Sequence, residues 1–403
     1  MNVDRMRQID FWAGVPLTFL MTLYWRIRCF FSPPGPAAGK NILFIELSEM
    51  GSAVIADAAL KRAQAMYPDA RLYFLIFAKN RPSLDIMGTI KRENMLTIRS
   101  DSFVTLALDT LAMIRTMRSL DLMAAIDMEM FSRFSAILTF LSGAPKRVGF
   151  HRFTTEGLYR GELLTHPVAY NPHQHVAKCF MAQVHALAEP EGTIPHGKAF
   201  FSDEEVRLAP VAPAPETLDA FKARLFEAYP VLRDTPRWVI LNPNSSELMP
   251  LRRWPYDRYT EVARRLLEDE SLAVIITGVA SEKAEAQGLV DATGSKRAVN
   301  LAGFTRMEDL IPLYALSKVM VTNDSGPAHF AAPVGLPTIV LFGPETPDLY
   351  GALNDKAEFI TARLACSPCV SAMNHRSTAC NDAACMRAIP TGQVLDAVKR
   401  LLG

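Results

Sequence analysis

The chain has 403 residues, more than one ordinary hydrophobic core holds, so two domains with appendages are expected. Hydrophobic residues make up 49% and the 43 basic side chains nearly balance the 42 acidic ones, which excludes a disordered chain and removes any reason to expect a nucleic acid as partner. Six cysteines in so long a chain do not make a disulfide framework.

Phe11 to Trp25 runs fifteen residues without a charge, with Arg5, Arg7 and Asp10 before it and Arg26 and Arg28 after it. As a helix this run measures about 22 Å, short of the roughly 30 Å hydrocarbon core of a bilayer, so a transmembrane span is the weaker reading. A signal peptide would end in a small-residue cleavage pattern, whereas here Arg26, Arg28, Phe30 and Phe31 follow. Arginines beside Trp12, Tyr24 and Trp25 fit an amphipathic helix lying in the interface of the cytoplasmic membrane. The alternative is a soluble helix packed on the domain that follows. Pro33, Pro34, Gly35 and Pro36 then open a linker.

From Asn41 the pattern alternates between strand and helix. Strands are expected at 41–47, 71–77, 95–98 and 122–128, a turn at 48–52, and helices at 53–66 and 131–141. This is the βαβ rhythm of a parallel sheet, in which ligands bind beyond the carboxyl ends of the strands, so Glu46 to Ser52 belongs at a binding edge. Residues 189–236 hold Pro190, Pro195, Pro210, Pro213, Pro215, Pro230 and Pro236 around one amphipathic helix near 217–229, the composition of a connection between two domains.

The second block opens with a buried strand at 238–241, then the polar run from Asn242 to Ser246 and the run from Leu251 to Pro255. A polar loop at a strand's carboxyl end followed by arginines suits a diphosphate leaving group: Ser245 and Ser246 are short donors and Arg252 neutralises charge as the bond to phosphate breaks. A further strand is expected at 272–278. Thr305 with Glu308 reads as a capping box.

The stretch from Val319 to Pro347 reads as strand, turn, short helix and strand. Its helix is expected to begin at Pro327, where a missing N–H costs nothing, and Gly326 lets backbone amides approach a ligand. A diphosphate suits such a helix N-terminus, with His329 donating to a phosphate oxygen and Asp324 holding sugar hydroxyls. The plainer alternative is that Asp324 or Ser325 only caps the helix. Cys366, Cys369, Cys380 and Cys385 follow, at a spacing that structural zinc could use, and 393–402 closes the chain as a helix with Val394, Val398 and Leu401 on one face.

Asp324-Ser-Gly-Pro-Ala-His329, followed by Gly335-Leu-Pro-Thr338 and Leu341-Phe-Gly-Pro344, resembles the donor-site signature of the bacterial lipopolysaccharide heptosyltransferases, glycosyltransferase family nine. The fragments from Ile42 to Ser52, Asp121 to Phe150 and Asn171 to Phe180 are similar to the acceptor half of the same family. The resemblance implies an α/β chain of two Rossmann-like domains facing a cleft, the GT-B architecture. It further implies an inverting, metal-independent transferase without a cofactor, whose donor substrate is a nucleotide-diphosphate sugar. Asp324, Ser325, Gly326 and His329 are then donor-binding, Glu282 matches a family acid that binds the nucleoside, and Arg252 stands where the family tends to carry lysine.

One departure touches mechanism. The family places an aspartate directly after the glycine of the first turn, as the base for the acceptor hydroxyl, but Gly51 is followed by Ser52. A serine cannot take that proton alone; Glu49, in the same turn, is the nearest carboxylate, with Glu46 and Asp57 as further candidates.

The expected organisation is therefore a membrane-associated helix and linker (1–39), an acceptor-side domain (40–188), a connection (189–236) and a donor-binding domain (237–403). The expected activity is transfer of a heptose or related sugar to a lipid-linked glycan on the cytoplasmic face of the membrane. A relative that binds a nucleotide sugar without transfer, and a hexose epimerase on the same fold, are the competing readings.

Overall fold

The computed structural model describes residues 3–32, 39–154, 157–245, 249–374 and 376–403; the linker expected from Pro33 lies outside them. Two units emerge: residues up to Val206 together with Val370–Ser377, and Arg207–Cys369 together with Thr378–Gly403. The proline-rich connection is thus shared, its residues to 206 belonging to the first unit and the rest to the second.

The first unit holds six parallel strands, β1 (Asn41–Ile45), β2 (Leu72–Phe77), β3 (Met95–Ile98), β4 (Leu122–Asp127), β5 (Lys146–His151) and β6 (His166–Ala169), in the order β3-β2-β1-β4-β5-β6. All six residues of β2, Leu-Tyr-Phe-Leu-Ile-Phe, are buried, as a strand covered on both faces requires. Helices α3 (Met50–Ile55), α4 (Asp57–Met66), α5 (Phe103–Arg118) and α6 (Arg133–Leu141) lie in crossovers, α7 (Val176–Ala186) follows the last strand, and α1 (Val3–Trp12) and α2 (Gly14–Phe31) precede the first. Right-handed crossovers put α5 and α6 on one face of the sheet, because β3 to β4 and β4 to β5 step in the same direction. The strand order reverses between β1 and β4, which makes their carboxyl ends the ligand edge.

The N-terminal helices are fastened to this unit by specific groups. Asp10 accepts from the Arg133 and Phe134 backbone N–H groups at 3.0 and 2.9 Å and pairs with the Arg133 guanidinium at 3.0 Å, so it caps α6 from outside. Along α2, Gly14, Thr18 and Thr22 recur every four residues and are buried. A Cβ at Gly14 would lie 2.7 Å from the Arg133 Cβ, Thr22 accepts the Glu162 N–H at 2.9 Å, and Trp25 meets Phe140 edge-on at 5.6 Å between ring centres. The small side of α2 faces inward and its large apolar side outward: Leu20, Tyr24, Phe30 and Phe31 are all exposed. The helix is packed on its domain, as the alternative reading had it, and keeps an open apolar face. No described helix is long and apolar enough to cross a membrane.

The second unit repeats the plan with β7 (Arg237–Asn242), β8 (Leu272–Ile276), β9 (Ala298–Asn300), β10 (Val319–Asn323), β11 (Thr338–Phe342) and β12 (Ala357–Thr361), all parallel, in the order β12-β11-β10-β7-β8-β9. Its helices include α8 (Pro215–Ala228), α9 (Tyr256–Leu266), α10 (Lys283–Thr293), α11 (Gly326–Ala331) and α12 (Thr391–Leu402). Trp254, Tyr259, Val262, Val394 and Val398 pack into one core on β7, β8 and β10, so the expected apolar face of the last helix points inward. Here the order reverses between β7 and β10. The expected Thr305 cap is displaced by one residue: Arg306, in extended conformation, opens the turn and its N–H donates to Asp309 at 2.7 Å, a better-placed acid than Glu308.

Candidate active site

In the second unit the carboxyl ends of β7 and β10 are tied together by one side chain. Asn323 accepts from the Trp254 backbone N–H and the Tyr259 hydroxyl, both at 3.1 Å, and donates to the Pro243 and Asn244 carbonyls at 2.8 and 3.3 Å. With its hydrogen-bonding capacity filled, this buried amide fixes the loop after β7 against β10. Trp254 is fully buried and donates its ring N–H to Ile389, so the turn ahead of it, which carries Arg252, is anchored from behind.

Arg252 lies between two carboxyl groups. Its Nε is 3.2 Å from Asp324 Oδ2 and its Nη2 is 3.6 Å from Glu345 Oε1, and both acids are buried. Burial raises the Asp324 carboxyl above its ordinary range against the pull of Arg252. Burial likewise pushes Glu345 up to about 8, with Arg252 opposing and Asp324 adding to the shift. Because that folded value lies above the ordinary 4.5, the folded state retains a proton that the unfolded chain releases. Stability from this group is full below about pH 4.5 and is lost as pH rises through about 8. The melting temperature is therefore expected to fall across that window, and Glu345→Gln to flatten the fall; a Glu345→Gln profile superimposable on the wild type removes the assignment.

The other expected donor residues divide. Asp324, Ser325, Gly326 and His329 run from the end of β10 into α11, which begins at Gly326, one residue ahead of the expected Pro327. No side chain caps this helix. The Ser325 hydroxyl instead donates to the Asn323 carbonyl at 3.1 Å, and a Cβ at Gly326 would meet the Phe330 ring at 3.1 Å. His329 is buried in the first turn. Ser245 is buried and donates to the Met249 carbonyl at 3.2 Å, while Ser246 lies outside the described residues. Glu282 sits at the next strand end, where it accepts the Val279 N–H at 2.8 Å. A Cβ on Gly278 would touch both the Glu282 carboxylate and the Asn244 amide, so Glu282 adjoins the β7 loop beside Ser245.

In the first unit the expected turn after β1 is already helix. Glu49 is the extended residue ahead of α3, and Ser52 lies inside α3, buried, its hydroxyl 3.2 Å from Glu49 Oε2. The other Glu49 oxygen forms an ion pair with Arg376, delivered by the Val370–Ser377 segment. Glu129 accepts from the Leu47 and Ser48 N–H groups, each at 2.9 Å, and from the Ser48 hydroxyl at 2.8 Å, holding the chain after β1 against β4. Glu46 is buried nearby; burial raises its carboxyl well above the ordinary range, Glu129 raises it further and Arg376 opposes. Asp57 is engaged elsewhere, with Lys61 at 2.6 Å and with Thr89.

Glu345, Glu129, Asn323 and Arg376 are not marked by sequence reasoning. Glu345 had a visible signal, an acid in the Gly343-Pro-Glu-Thr346 turn directly after β11. Cys366, Cys369, Cys380 and Cys385 stand at the spacing noted above, but among the described residues no group of three or more His, Cys, Asp or Glu side chains is arranged to hold a metal ion.

Comparison with known proteins fits this geometry. The chain is 36% identical over 118 residues to lipopolysaccharide heptosyltransferase 2 of Salmonella typhimurium and 22% identical over 313 residues to lipopolysaccharide core heptosyltransferase OpsX of Haemophilus influenzae. The first alignment covers 28% of this chain and 34% of the relative, the second 77% and 81%. The chain thus spans about a third of the length of the Salmonella typhimurium, Escherichia coli and Haemophilus influenzae heptosyltransferase 2 relatives it matches. The solved ADP-heptose heptosyltransferase II of Escherichia coli shares the fold, with TM-score 0.68 at 22% identity over 90% of this chain and 98% of that one. The family model described as glycosyltransferase family 9 (heptosyltransferase) matches residues 110–379, which include the whole second sheet and the segment bearing Arg376. With more than half of its length matched, and with Arg252, Asp324 and His329 at the strand-order reversal of that sheet, the chain belongs to glycosyltransferase family 9, the heptosyltransferases.

Proposed function

We propose that the protein transfers a heptose or closely related sugar from a nucleotide diphosphate to a hydroxyl of a lipid-linked glycan in lipopolysaccharide biosynthesis. The observation that carries this reading is the half-buried Arg252 between the buried acids Asp324 and Glu345 at the strand-order reversal of the second sheet. A guanidinium there can turn to a diphosphate as the donor binds, and the uncapped N-terminus of α11 offers N–H groups to the same phosphates. Ser245, Ser246 and His329 add donors, Asp324 accepts from sugar hydroxyls, and Glu282 addresses the nucleoside. In the transfer itself the acceptor oxygen bonds to the anomeric carbon, the bond from that carbon to the diphosphate breaks, and inversion follows from attack opposite the leaving group. The acceptor proton goes to Glu49, which Ser52 and Arg376 orient. Arg252 and His329 offset the charge on the departing diphosphate without a metal ion. The outward face of α2, with Arg26 and Arg28 beside exposed Tyr24 and Ile27, would hold the protein on the cytoplasmic face of the membrane where a lipid-linked acceptor is presented.

The test is donor binding and turnover with ADP-, UDP- and GDP-linked sugars. Asp324→Asn and His329→Ala should each weaken binding of the preferred donor about ten- to a hundredfold, the value of one charged hydrogen bond. Donor binding without transfer to any glycan acceptor would favour a binding protein; unchanged affinity for every nucleotide sugar in both variants would remove the site assignment.

A further inference from the structure

Helix α5 presents outward what soluble helices keep inside. Phe103, Val104, Leu108 and Leu111 are 61, 65, 61 and 57% exposed, and with Ala107 and Ala112 they form one stripe at helical spacing that ends in Arg115. The opposite side of the same helix packs into the core through Leu106, Met113, Ile114 and Met117. Asp109, its sole acid, is engaged by Arg99 at 2.8 Å. An apolar stripe of this length on an open surface marks a contact with something apolar.

Helices α2 and α5 lie on either side of α6, which has no exposed residue. Gly14 and Trp25 of α2 meet Arg133 and Phe140 of α6, while Arg118 of α5 donates to the Leu141 carbonyl at 3.0 Å. The outward stripes of α2 and α5 therefore belong to the same layer, on one side of the first sheet. Arginines border both: Arg26 and Arg28 on α2, Arg115 and Arg118 on α5, all exposed, while α2 has no acid at all.

We infer that α5 is a second lipid-contacting element, and that α2 and α5 together seat the first unit on an anionic bilayer, the apolar stripes entering the interface and the arginines meeting headgroups. The inference rests on the proposed membrane seating of α2 and extends it. Charge selects the lipid over a second copy of the chain, because a symmetric pairing through this face would set the basic borders against each other.

The experiment uses the full chain and sedimentation with phosphatidylcholine vesicles, with and without 30% phosphatidylglycerol, a fraction chosen as about that of an anionic membrane. Leu108→Glu with Leu111→Glu should lower the bound fraction on anionic vesicles at least about tenfold, and Leu108→Ser with Leu111→Ser should lower it less, since no charge is buried. Thermal stabilisation by a nucleotide sugar should be unchanged in both, showing an intact fold. Leu20→Glu with Tyr24→Glu is the parallel variant for α2. If the α2 variant loses the vesicles and both α5 variants keep them, α5 is not a lipid contact although α2 is. If the wild type binds no vesicles, both elements fail while the donor reading stands on its own measurements. A wild-type dimer by analytical ultracentrifugation that the α5 variants dissociate would assign the stripe to a second copy and overturn the proposal.

Discussion

Glu49→Gln is expected to slow sugar transfer by a factor of about a hundred to ten thousand while leaving donor affinity unchanged, because glutamine keeps the size and hydrogen bonding but cannot take the acceptor proton. The surroundings sharpen the companion test. Ser52 is buried with its hydroxyl 3.2 Å from the Glu49 carboxylate, so Ser52→Asp alone would set two carboxylates side by side. In the Glu49→Gln background the new aspartate has no carboxylate at position 49 beside it and restores the family residue after Gly51, so the double variant should recover part of the lost rate. Normal transfer by Glu49→Gln would pass the role to Glu46, the other acid near Arg376, since Asp57 is held by Lys61 and Thr89.

Arg252→Ala should act on stability as well as on donor binding. Asp324 and Glu345 are both buried, and removing the cation between them takes away the charge that opposes both, a change that costs about 3 to 5 kcal/mol when a buried pair is broken. The loss should be largest at high pH, where both acids ionise, and should shrink in acid as they take up protons. Arg252→Lys keeps the charge but not the two-sided reach, so it should recover more stability than donor affinity. A melting temperature for Arg252→Ala equal to the wild type both below and above about pH 8, the value to which burial pushes Glu345, would show that Arg252 is not coupled to these acids in the folded protein.

The repeating strand and helix pattern was readable because the parallel strands near the sheet centre are mostly apolar runs, several of them followed by polar turns. That is enough to place Arg252, Asp324 and His329 after the carboxyl ends of strands, while the strand order that brings β7 and β10 together is not in the pattern. Less was readable where tertiary partners decide. Nothing local distinguishes Glu49 in a turn from Glu49 ahead of a helix, since α3 is only six residues long and starts without a side-chain cap. Arg376 has no pattern of its own; it matters because its segment joins a unit far away in sequence. The direction of α2 was ambiguous for a physical reason: its apolar residues encircle most of the helix, and only the Gly14, Thr18, Thr22 stripe, read as a close-packing face, tells inside from outside. Glu345 is the clearest missed residue, an acid whose importance comes from burial beside Arg252 and not from spacing.

The excursion of Val370–Ser377 into the first unit bears on how such proteins can be recombined. A chimera made by joining residues up to Val206 to the remainder of a relative would exchange more than the second unit. It would also replace Arg376, and with it the group that pairs with Glu49. Parentage of Glu49 and of Arg376 would then differ within one folded unit. An exchange that keeps them matched needs two further junctions, returning Val370–Ser377 to the parent of the first unit.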